Sequence, residues 1–133
     1  MALTVTSFIA TLGTLSISGV TSLTELPTRV NAADLPIGFP RLPTTGNEIA
    51  TFTGVGSLRN LSCEYVILIQ PVPLSNTATN YAAAATAIDN LYTTLSAEMA
   101  ANVQIDSWSS QMTIETLGDI SYWAIVTQIE ASE

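Results

Sequence analysis

The chain has 133 residues, enough for one domain with a sizeable core. Hydrophobic residues make up 47%, but charged residues only 11%, against about 25% in ordinary domains, so serine and threonine carry most of the polar surface. With a net charge of −8, three arginines and no lysine, the chain has almost nothing with which to neutralise phosphates, which excludes a protein that grips nucleic acid.

The charge is unevenly placed. Residues 1–59 balance Arg29, Arg41 and Arg59 against Glu25, Asp34 and Glu48, while residues 60–133 contain no base and eight acids. Such a surface repels DNA, as the lining of a passage would. Histidine is absent and Cys63 is the single cysteine. That removes an intrachain disulfide, a Cys/His zinc site and histidine acid–base chemistry. Cys63 adjoins an apolar run and is expected to be a buried small hydrophobe. No catalytic, cofactor-binding or metal-ligating motif stands out.

In chain order, residues 4–14 read as a short helix, with Val5, Phe8, Ile9 and Leu12 at helical spacing and Gly13 as its stop. Phe8 to Val20 is fairly apolar but too short to span a bilayer and lacks a signal peptide's layout. It is expected to be mature structure, and with no other long apolar stretch the protein is expected to be soluble. Leu15, Ile17 and Val20 alternating with Ser16 and Ser18 give a weak strand signal. Residues 22–43 contain Pro27, Pro36, Pro40 and Pro43 and predict an extended arm. The arm either wraps its own domain or reaches a neighbour. On the second view Leu35, Phe39 and Arg41 are the candidate interface residues.

Glu48 to Thr53 reads as an edge strand. Gly54-Val55-Gly56-Ser57 is a hairpin tip rather than a phosphate loop, since Arg59 stands where G-x-G-x-x-G needs its last glycine and no helix follows. Residues 61–101 form the predicted scaffold. Tyr65-Val66-Ile67-Leu68-Ile69 is a strand buried on both faces, ended by Pro71 and Pro73. The alanine-rich segment Tyr81 to Ala101 is a long helix with a stripe at Tyr81, Ala85, Ile88, Tyr92, Leu95 and Met99. Residues 107–130 predict a C-terminal hairpin. Trp108, Ser110, Met112 and Ile114 share one face of its first strand. Its second strand places Trp123, Ile125, Thr127 and Ile129 against Tyr122, Ala124 and Val126. The expected architecture is a single α+β domain over 1–133. It has an antiparallel sheet of about four strands, with the long helix and the short N-terminal helix packed on one face.

Two segments carry a resemblance. Leu12-Gly13-Thr14-Leu15-Ser16-Ile17-Ser18-Gly19-Val20 precedes Leu26-Pro27, and Ala33-Asp34-Leu35-Pro36-Ile37-Gly38-Phe39-Pro40-Arg41-Leu42-Pro43 follows. An extended strand and a helix with Ala87-Ile88-Asp89-Asn90-Leu91 come next. This order resembles the neck and tail-completion proteins of long-tailed bacteriophages, in particular the tail terminators. The resemblance implies an α/β structural protein of the virion tail or neck, assembled in the host bacterial cytoplasm, with no cofactor. It implies a homo-oligomeric ring, usually hexameric, that caps the tail tube protein and meets the head connector while DNA passes through without specific binding. Asp106, Glu115 and Asp119 are the candidate lumen-facing acids. Within this class the alternative is a head–tail connector, a head-completion protein or another minor tail protein. A different class, a small ligand-binding or enzymatic α+β domain, would need carboxylates such as Asp106, Glu115 and Asp119 to pair for acid–base work.

Overall fold

The computed structural model describes residues 5–23, 35–42, 48–53, 56–72, 77–101, 105–117 and 119–132. Helix α1 spans Val5–Gly13 and α2 spans Thr77–Ala101. The strands are β1 (Thr21–Ser22), β2 (Ile37–Arg41), β3 (Glu48–Thr53), β4 (Gly56–Pro71), β5 (Ile105–Leu117) and β6 (Ile120–Ser132).

These strands form one sheet in the order β1-β2-β4-β6-β5, with β3 also paired to β4. The protein is α+β as expected, but the sheet is larger than four strands and mixed. Two-residue β1 runs parallel to β2, and every other pairing is antiparallel. At Asn60 and Leu61, β4 pairs with both β3 and β6. β3 therefore lies on the same side of β4 as β2. Residues 24–34 of the predicted arm lie outside the described residues; the flanking parts of the arm supply β1 and β2.

β4 is the axis of the fold, and its alternation builds two cores. Leu61, Cys63, Tyr65, Ile67 and Ile69 join Phe8 and Leu12 of α1, Ala84, Ala87, Leu91 and Leu95 of α2, and Ile125 and Ile129 of β6. On the opposite face Val66 and Leu68 meet Ile37, Phe39, Tyr122, Ala124 and Val126. This explains why β4 and β6 read as near-continuous apolar runs: each is buried on both faces. The one buried hydroxyl in the middle of β6, Thr127, is satisfied across the ladder by Ser110 at 2.8 Å.

The stripe expected on α2 is rotated. The core-facing residues are Asn80, Ala84, Ala87, Leu91 and Leu95, whereas Tyr81 and Tyr92 are 59% and 62% exposed. Alanines at 84 and 87 let the helix backbone approach the sheet, a fit that a tyrosine would prevent. Tyr92 instead lies over Trp108 of β5, with ring centroids 5.8 Å apart.

Residues 15–20 also differ from the expected strand. Leu15 and Ile17 are buried and Ser16 and Ser18 exposed, so the alternation is real. The backbone, however, finds its partners in α2 and not in a ladder. Asn90 Nδ2 donates to the Ser18 carbonyl at 3.1 Å, and Thr94 Oγ1 to the Ser16 carbonyl at 3.4 Å. Gly19 closes this strap at φ 77°, a conformation that favours glycine.

Candidate functional site

The most polar constellation lies on the second-core face. Arg41 of β2 donates from Nε to Glu64 Oε1 at 2.7 Å, and from Nη1 and Nη2 to the two carboxylate oxygens of Glu115 at 3.0 Å each. Its guanidinium pKa is raised, chiefly by the hydrogen bond to Glu115. Glu64 is the direct cross-strand partner of Arg41. Glu115 is not: β5 stands three strands away from β2, and Glu115 pairs with Tyr122 near the far end of β6. A flat sheet spaces neighbouring strands ~4.8 Å apart, far too wide for this contact once the offset along the strands is added. The sheet must therefore curl toward this face, wrapping the second core, and Arg41 ties the curl together.

Of the candidate interface residues, Phe39 is buried in its own subunit, while Leu35 and Arg41 are half-buried. Phe39 is 2% exposed within the second core, and Leu35 packs against the same cluster. Arg41 is committed to two carboxylates of its own chain. The candidate acids are not brought together. Glu115 is held by Arg41, Asp119 is exposed in the β5–β6 turn, and Asp106 occupies the register shift between Ile105 and Ser107, its side chain outside the described residues. Glu64, the acid that does join Glu115, was missed because only the sheet's curl makes them neighbours. Among the described residues no group of three or more His, Cys, Asp or Glu is arranged to hold a metal ion.

Cys63 is fully buried, and desolvation pushes its thiol up to about 11. Tyr65 is equally buried. Its ring lies across Gly38, where an added Cβ would stand 2.7 Å from Cε1 and the hydroxyl oxygen, and burial raises its pKa. An open groove of about 400 Å³ runs between α2 and the Gly19 turn, walled by Pro36, Thr79, Ala83, Thr86 and Asn90, with no ionisable side chain in its lining. Its walls are mostly apolar and small. No helix among the described residues is long and apolar enough to cross a membrane.

β5 is the terminal strand of the order and has no partner beyond it among the described residues. At the other side, β3 pairs with β4 alone among the described residues. Comparison with known proteins adds no relative: no family model, curated protein or solved structure matches this chain.

Proposed function

We propose that this chain is a structural protein of a long-tailed bacteriophage virion, a tail terminator whose copies close into a ring at the head-proximal end of the tail tube. The bound ring occupies the growing end of the tube, which stops polymerisation, and its other side receives the head connector. The mechanism is geometric and uses no cofactor.

One observation carries the reading. Both faces of the central strands are filled by the chain's own side chains, while β5 ends the strand order with no further partner among the described residues. A protein built this way makes its contacts edge to edge. The Asp-Leu-Pro…Phe-Pro segment of the resemblance and the low surface charge agree with it. A net charge of −8 per copy favours a passage that DNA crosses without adhering, and Asp119 is exposed.

Electron microscopy of the purified protein is the test. Rings with a central hole that bind the ends of purified tail tubes are expected. Rings that bind the capsid vertex and ignore tube ends would make the protein a head–tail connector. A stable monomer that binds neither would refute the reading.

A further inference from the structure

We draw no further inference here: the strongest candidate, the surface patch on α2 where Tyr81 and Tyr92 stand exposed and Tyr92 lies over Trp108 of β5, is an unpartnered apolar face, and nothing in the structure shows what covers it.

Discussion

Replacing Arg41 isolates the bond that holds the sheet's curl. The Arg41→Met variant keeps most of the aliphatic stem but leaves Glu64 and Glu115 on one face with no counter-charge. At ~4 Å and an effective dielectric of about 20, each pair is worth about 4 kcal/mol gross, much of which desolvation offsets. Exposed pairs net about 0.2–1 kcal/mol, and breaking a fully buried one costs about 3–5. The side chains of Arg41, Glu64 and Glu115 are 24%, 15% and 24% exposed, which lies between these limits but nearer the buried one. We expect Arg41→Met to cost about 2–3 kcal/mol. That should lower the urea midpoint by about 1–2 M at the m-values of small domains. A double-mutant cycle with Glu115→Gln should return a coupling of about 1–2 kcal/mol. Arg41→Lys should recover only part of it, because an ammonium cannot reproduce the two-pronged contact. A coupling below about 0.3 kcal/mol would refute the claim that this pair closes the curl.

Three further outcomes follow from the two cores. Phe39→Ala should cost about 3–4 kcal/mol in urea unfolding, the usual range for emptying a buried phenylalanine site; a large loss of assembly with stability unchanged would contradict its burial. Gly38→Ala should cost about 1–3 kcal/mol, because the new methyl meets the immobile ring of Tyr65, and pairing it with Tyr65→Leu should recover much of the loss. The Cys63 thiol should resist a thiol reagent in the folded protein and react at once in urea. Its folded pKa of about 11 exceeds the unfolded 9.0, so the native state holds the proton more tightly and stability should fall as pH rises from about 9 toward 11. Fast labelling of folded protein would refute this.

Sequence periodicity located both helices, the edge strand β3 and the C-terminal hairpin, because each contains a run whose pattern matches its own geometry. It under-measured β4, whose first residues, Gly56 to Asn60, alternate too weakly to announce a strand; their pairing with β3 comes from a tight hairpin. On α2 it placed Leu95 and Ile88 correctly but put Tyr81 and Tyr92 on the core face. Large apolar residues at helical spacing are a reasonable mark of a core face, but here Ala84 and Ala87 make that face by permitting close approach. The burial of Phe39 and the pairing of Arg41 with Glu115 could not be read at all. Both depend on a sheet that curls, and curl is a property of the whole ladder and not of any segment.

The curl also explains why function should be sought at edges. An open sheet with helices on one face ordinarily leaves its other face available to ligands or partners. In this chain that second face closes over Phe39, Val66 and Tyr122, and its mouth is occupied by Arg41 with two carboxylates. Among the described carboxylates, Glu64 and Glu115 are paired with Arg41 and Asp119 is exposed. Backbone edges are different: their N–H and C=O groups are not satisfied by a curl and need water, a covering segment or another strand. With both faces of the central strands filled, the edge of β5, which has no further partner among the described residues, is where a partner strand would add.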